Sequence, residues 1–289
     1  MPNTIALIFD FDDTLAPDST TRLLKHHGLD TNKFWNTLFR DLVQSGYDPA
    51  HAFLRLLLDH VGENKPLGLL TNSHLAEFGA SLDDLFFPGI PQVFDDLRGI
   101  VAEFRDISIE FYIISGGLQA LIEGSRIVQA YFTSVYGCQL DESGDPLRVT
   151  HIKRAVNFTE KTRYLFEINK GLQAAQTTKN PYLVNEFKAE PLRRVPFSNM
   201  IYIGDGLTDI PCFSLLTKNR GTCFGVFDPS SPDKAKQALL KLLQPDRVIG
   251  THFPRYGPEH ELGVILRAKV GSLCSDIVVG PQTAQYGQA

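Results

Sequence analysis

Ile5-Ala6-Leu7-Ile8-Phe9 is an unbroken apolar run that stops at Asp10. It is too short for a helix and does not alternate, the pattern of a parallel strand covered on both faces. Ile109 to Ile114, Met200 to Ile203 and Thr222 to Phe227 have the same character, and each leads into a glycine or a turn. Between these runs, apolar positions at helical spacing predict helices over Pro91 to Arg105, Gly117 to Tyr131, Thr159 to Lys170, Asp209 to Leu216 and Asp233 to Leu243. Strands alternating with helices predict an α/β fold built on a doubly wound parallel sheet.

The alternation lapses from about Asp18 to Phe87. Phe34, Trp35, Leu38, Phe39 and Leu42 recur at helical spacing, Gly28 and Gly46 mark stops, and Pro49 suits the first turn of another helix. Residues 18–87 are therefore expected to form a helical cap inserted after the first strand, with 1–17 and 88–289 as the α/β core. The Trp35 stripe is expected in the interior of the cap rather than against a ligand. Phe86-Phe87-Pro88-Gly89-Ile90-Pro91 has the turn chemistry to bring the chain back. Val135 to Val149 predicts a hairpin with its tip at Asp141 to Pro146. Gln173 to Ser198, polar and carrying Pro181, Pro191 and Pro196, predicts a surface excursion, and Gly280 to Ala289 a frayed tail.

Composition narrows the picture. The chain has 289 residues, 28 basic and 33 acidic, for a net charge of −5. With no Lys/Arg run to track a phosphate backbone, no nucleic-acid partner is expected. Cys138, Cys212, Cys223 and Cys274 form no C-x-x-C pair, so buried free thiols are expected rather than a zinc cage. No cationic leader precedes the first apolar run, and no apolar stretch of about 20 residues occurs. No membrane span is expected, and the cytoplasm is the expected compartment.

The candidate chemistry sits where apolar runs end. Asp10-Phe11-Asp12-Asp13-Thr14-Leu15 places several carboxylates in the turn beyond the first strand, where ligands of open α/β sheets bind. Capping alone does not require so many. Their mutual repulsion would be relieved by a hard divalent cation, and oxygen ligands suit Mg²⁺. Gly204-Asp205-Gly206-Leu207-Thr208-Asp209 repeats the arrangement after another strand. If the two strands are neighbours, Asp10, Asp12, Asp205 and Asp209 converge; Asp209 has helix capping as an alternative role. Ser115-Gly116-Gly117 can offer a hydroxyl and backbone N–H groups to a phosphate. A cation should balance these charges, and Lys161 competes for that role on position with Lys153, Arg163 and Lys170.

Taken together, Asp10-Phe11-Asp12-Asp13-Thr14, Ser115, Lys161 and Gly204 to Asp209 resemble, in order and spacing, the four motifs of the haloacid dehalogenase superfamily, nearest to its phosphoserine-phosphatase-like branch. The helical insert between the first two motifs is similar to that branch's C1 cap. The resemblance implies a phosphatase with Asp10 as nucleophile and Asp12 as proton donor and then base. It implies Mg²⁺ held by Asp10, the Asp12 carbonyl, Asp205 and Asp209, with Lys161 neutralising charge. Ser115 and Gly116 would seat the phosphate, and Thr14 would support the loop and the phosphate end. The expected partner is a small phosphorylated metabolite.

Asp12 sets the chain apart from dehalogenases, whose leaving halide needs no proton. A phosphonatase would need a cap lysine, for which Lys25, Lys33 and Lys65 are available without a supporting motif, and a phosphotransferase stays open. Where the phosphoserine phosphatases carry a cap glutamate, this chain reads Ala16-Pro17-Asp18-Ser19-Thr20. Outside the superfamily, the alternatives are a receiver-like phosphoryl-accepting module and a binding protein that keeps the fold without catalysis.

Overall fold

The computed structural model describes residues 3–228, 236, 240, 242–244 and 247–286. Seven strands form one sheet: β1 (Thr4–Phe9), β2 (Ser108–Leu118), β3 (Ser134–Ser143), β4 (Arg148–Arg154), β5 (Met200–Gly204), β6 (Thr222–Val226) and β7 (Gly250–His252). Their order is β4-β3-β2-β1-β5-β6-β7. Every neighbouring pair is parallel except β3 and β4, the expected hairpin.

The chain builds outward from β1 in one direction through β2 and β3, and later in the other through β5 and β6. β1 therefore sits at the switch point of the topology, where a crevice opens beyond the strand ends. Phe9, its last residue, is in register with Ile113 on one side and Ile203 on the other.

All six residues of β1 are buried, and alternate ones feed opposite faces, as period-two geometry requires. Ile5, Leu7 and Phe9 pack with Val93, Phe94 and Leu97 of the Gln92–Ala102 helix, and with Leu262, Leu266 and Val270 of the Glu261–Tyr286 helix. Ala6 and Ile8 join the opposite cluster, with Leu165 and Ile168 of the Phe158–Lys170 helix and Phe213 of the Ile210–Lys218 helix. The sheet is thus the middle of three layers.

Residues 19–85 contain helices and no strand, as expected: Ser19–His26, Thr31–Lys33, π-helical Phe34–Phe39, Arg40–Gln44, Pro49–Asp59, Asn72–Ala80 and a 3₁₀ turn at Asp83–Leu85. Asp18 caps the first through the Thr21 N–H at 2.9 Å, and Asp48 caps the helix that begins at Pro49 through the Ala50 N–H at 3.0 Å. Leu23, Phe53, Leu54 and Leu57 belong to the same continuous apolar cluster as Ile8 and Ile114 of the sheet.

The far end of the insert is fixed closely. Where the Asn72–Ala80 helix meets the Gln119–Gly124 helix, a Cβ on Gly79 would lie 1.9 Å from the Leu121 carbonyl oxygen, and one on Gly124 would lie 2.0 Å from that of Ala76. Only glycine permits this approach.

The expected helix over Gly117 to Tyr131 is in fact two. β2 continues to Leu118, and helices follow at Gln119–Gly124 and Arg126–Tyr131. Ser125 divides them. Its backbone is extended, its hydroxyl oxygen accepts the Val128 N–H to cap the second helix, and its O–H donates to Asp83 at 2.6 Å. The Gln173 to Ser198 excursion contains one short helix, Ala174–Lys179, and 3₁₀ turns, and Arg194 ties it to Glu110 of β2. Most of the expected Asp233 to Leu243 helix lies outside the described residues. The tail expected from Gly280 is instead the end of the Glu261–Tyr286 helix, and 287–289 lie outside the described residues. Among the described residues no helix is long and apolar enough to cross a membrane.

Candidate active site

Asp10 leaves β1 with its N–H bonded to the Ile203 carbonyl at 2.9 Å, which pins it between β1 and β5. The following loop folds back on itself. The Phe11 carbonyl accepts the N–H groups of Thr14, Leu15 and Ala16, and the Asp13 N–H donates to the Ala16 carbonyl at 2.7 Å. Asp13 makes this possible with φ at +56°, a left-handed conformation that Asp tolerates better than most side chains. From below, the fully buried Tyr256 donates its hydroxyl to the Thr14 carbonyl at 2.7 Å.

The carboxylate of Asp10 is held on both oxygens. Oδ1 accepts the Phe11 N–H at 2.7 Å, and Oδ2 accepts Lys161 Nζ at 2.7 Å. Lys161, itself buried, also donates to Asp209 Oδ1 at 2.7 Å. Burial works against the Lys161 charge, but the two carboxylates outweigh it and hold the ammonium pKa above its usual range. The competing cations are occupied elsewhere. Arg163 pairs with Glu160 and Glu167, Lys170 donates to the carbonyls of Val184 and Glu186, and Lys153 is exposed on β4.

Asp209 is fully buried, and it also accepts the Tyr202 hydroxyl at 2.8 Å and the Gly206 N–H at 3.1 Å. Gly204 makes room for it, since a Cβ there would lie 2.5 Å from Asp209 Oδ2. One oxygen from each of Asp10, Asp205 and Asp209 falls within 4.8 Å of the others. Asp10 therefore meets Asp205 and Asp209 from the other strand end, whereas the Asp12 carboxylate, expected with them, is not part of this group. This all-oxygen, multiply anionic donor set fits a hard divalent cation such as Mg²⁺.

Asp12 follows two residues beyond Asp10 in the loop. Its Oδ1 accepts the Ser19 N–H at 2.7 Å, which ties the loop after β1 to the start of the first insert helix. Burial, with the charge of Asp18 added, pushes its pKa up to about 8, although Ser19 pulls the other way. Burial also raises Asp10, to about 6, in spite of Lys161. Ser115 Oγ accepts the Gly117 N–H at 3.0 Å and so shapes the turn at the end of β2. A Cβ on Gly117 would lie 2.7 Å from Asp12 Oδ2, so the glycine lets that carboxylate approach.

Asp10, Asp12, Ser115, Gly116 and Asp205 line a cleft of about 280 Å³. Thr14 is fully buried and does not line it; its carbonyl serves the loop through Tyr256. Trp35, expected in the interior of the insert, lines the cleft together with Phe39 and Phe53 while also packing against the apolar cluster. Helical spacing finds such a stripe but not which of its edges is left uncovered. None of Lys25, Lys33 and Lys65 lines the cleft. Asp18, which stands where the phosphoserine phosphatases carry a cap glutamate, lines the cleft, as do Asn157 and Phe158, which no sequence pattern assigned to it; Tyr256 supports the loop without lining the cleft.

No family model matches the chain. An uncharacterized protein of Borreliella burgdorferi is 32% identical over 243 residues, spanning 76% of this chain and 81% of its own. Among solved structures, a HAD family hydrolase from Salmonella enterica serovar Typhi is similar over 80% of this chain, with a TM-score of 0.51 at 16% identity. The chain spans 65% of that protein's length. A haloacid dehalogenase-like family hydrolase from Streptococcus pneumoniae covers 92% of this chain and 99% of its own, with a TM-score of 0.38 at 14% identity.

Proposed function

Because the chain has the haloacid dehalogenase fold and belongs to one family with the Borreliella burgdorferi protein, we propose that it is a Mg²⁺-dependent phosphatase of small phosphomonoesters with Asp10 as its nucleophile. The observation that carries the proposal is the contact of buried Lys161 with Asp10, which lines a cleft together with Asp12 and Asp205. A structural ion pair would not need to open onto a cavity. A nucleophile must.

In this reading an Asp10 oxygen attacks phosphorus. The bond from phosphorus to the alcohol oxygen breaks as the bond to Asp10 forms, and the leaving oxygen takes a proton from Asp12. Burial disfavours the ionised form of Asp12 and so favours its holding that proton until the leaving oxygen takes it. Asp12, now ionised, then removes a proton from water as the water attacks the aspartyl phosphate, which releases inorganic phosphate and restores both carboxyl groups. Lys161 balances charge at Asp10, and Ser115 with the Gly116 N–H seats phosphoryl oxygens. Asp10, Asp205 and the Asp12 carbonyl would hold Mg²⁺, with Asp209 beside them. The bound ion would supply positive charge where the phosphoryl group carries negative charge.

The helices of 18–87 act as the cap, since they supply one wall of the cleft and can exclude water from it. The test is phosphate release from p-nitrophenyl phosphate with Mg²⁺, with and without chelator. We expect many turnovers per chain and none for Asp10→Asn. A single stoichiometric phosphorylation would indicate a receiver-like acceptor, and near-normal turnover by Asp10→Asn would remove the proposed nucleophile.

A further inference from the structure

The aromatic part of the cleft lining comes from two helices of the insert, Phe34–Phe39 and Pro49–Asp59. The Trp35 ring meets Phe39 edge-on at 5.3 Å between centroids and Phe53 at 6.3 Å, and all three line the cleft. The indole N–H is already committed, because Nε1 donates to Thr21 Oγ1 at 2.7 Å. That hydroxyl in turn donates to Asp18 Oδ2 at 2.7 Å. Trp35 therefore offers the cleft its ring and not a donor, and the network that orients the ring also sets a carboxylate on the same wall.

No lysine, arginine or histidine lines the cleft among the described residues. Lys161 lies buried between Asp10 and Asp209. A substrate with a second anionic group would have to leave it without a cationic partner, near Asp12 and Asp18, at a cost in desolvation and like-charge repulsion. Aromatic faces beside a carboxylate instead attract an organic cation, whose charge is stabilised by the ring quadrupole and whose methyl groups pack on the rings.

Building on the phosphatase reading above, we propose that the organic end of the substrate is a small alkylammonium group lodged between Trp35, Phe39, Phe53 and Asp18, on an alcohol that carries no carboxylate. The rejection of anions matters as much as the attraction, because specificity is a difference between the two.

Trp35 is the sole tryptophan of the chain, so its fluorescence reports this wall without any need for turnover. In Asp10→Asn, which still has the wall, phosphocholine should perturb the emission with an affinity about ten-fold above that of dimethylbutyl phosphate, its neutral carbon isostere. Phosphoglycolate and phosphoserine should bind more weakly still. With the unsubstituted protein and Mg²⁺, kcat/KM should follow the same order. Asp18→Asn, which keeps a side-chain oxygen for the helix cap, should narrow the preference chiefly through KM, and Trp35→Leu should do the same if it folds, with Trp35→Phe as the milder variant. Equal binding of phosphocholine and its isostere, or tighter binding of phosphoglycolate, would overturn the alkylammonium proposal. Absence of phosphate release from every ester, p-nitrophenyl phosphate included, would instead overturn the phosphatase reading, and the fluorescence titration would still decide what the wall binds.

Discussion

Lys161 Nζ lies 2.7 Å from Asp10 Oδ2, although 151 positions separate the two residues, and both are buried. The same nitrogen reaches Asp209 at the same distance, so one ammonium holds two carboxylates drawn from different strand ends. Removing the cation should therefore be far worse than neutralising one anion. In chelator, Lys161→Met should lose about 3–5 kcal/mol in urea unfolding, because it strands two buried charges. Asp10→Asn, whose one amide oxygen can still accept from Lys161 but whose NH2 then faces the Phe11 N–H, should cost only about 1–2 kcal/mol. If Lys161→Met unfolded at the parent's urea midpoint, the pair would not be the electrostatic centre described here.

Gly117 provides a purely steric prediction. A methyl group there would lie 2.7 Å from Asp12 Oδ2 and 3.3 Å from Ser115 Oγ. Nothing in its backbone φ demands glycine, so Gly117→Ala should fold. Moving Asp12 by even part of an ångström should lower kcat for p-nitrophenyl phosphate by about 10-fold to 100-fold, with less change in KM. An unchanged kcat would mean that Asp12 is not the proton donor.

The convergence of Asp10 with Asp205 was legible in the sequence because an apolar run that ends at a carboxylate fixes both a strand and its functional end. Lys161 was legible only through its resemblance to a known motif, since spacing left Lys153, Arg163 and Lys170 equal to it. The break at Ser125 was missed because the periodicity on either side belongs to one face, while the hydroxyl that divides the helices answers to distant Asp83. The Glu261–Tyr286 helix did carry a signal, with Leu262, Leu266, Val270 and Leu273 at helical spacing on the core side. The exposed edge of Trp35 had none, because it depends on how helices from different parts of the insert cross.

Glu110 interrupts the apolar run of β2, and the reason lies in the excursion. Its Oε2 accepts the Tyr112 hydroxyl at 2.5 Å and Arg194 Nη1 at 2.5 Å, while Oε1 meets Arg194 Nη2. Burial opposes the Glu110 charge, but these donors outweigh it and hold the carboxyl pKa below its usual value. A depressed carboxyl pKa contributes stability that is complete above the unfolded value and is lost as pH falls through the folded one. Arg194 is nearly half exposed and screened by solvent, so Glu110→Gln should cost only about 1 kcal/mol at neutral pH. The difference from the parent should shrink below about pH 4. Urea titrations at several pH values would show it, and a cost that grew toward acid pH would contradict the assignment.

Tyr256 tests whether the C-terminal part of the chain positions the loop that carries Asp10 or only packs beneath it. Its hydroxyl reaches the Thr14 carbonyl, its N–H donates to the Pro88 carbonyl at 2.7 Å, and its own carbonyl accepts Arg267 Nη1 at 3.0 Å. Arg267 also pairs with Asp96, so the Glu261–Tyr286 helix, the Gln92–Ala102 helix and the Asp10 loop meet at this one side chain. Tyr256→Phe keeps the ring and its contact with Phe9 but leaves a buried carbonyl without its donor, which should cost about 1–3 kcal/mol. A packing role alone would lower stability and leave kinetics untouched. A positioning role predicts in addition that kcat falls several-fold while KM holds, because the loop that carries Asp10 and Asp12 loses the support beneath Thr14. Stability lost with kcat intact would place Tyr256 in the core and nowhere else.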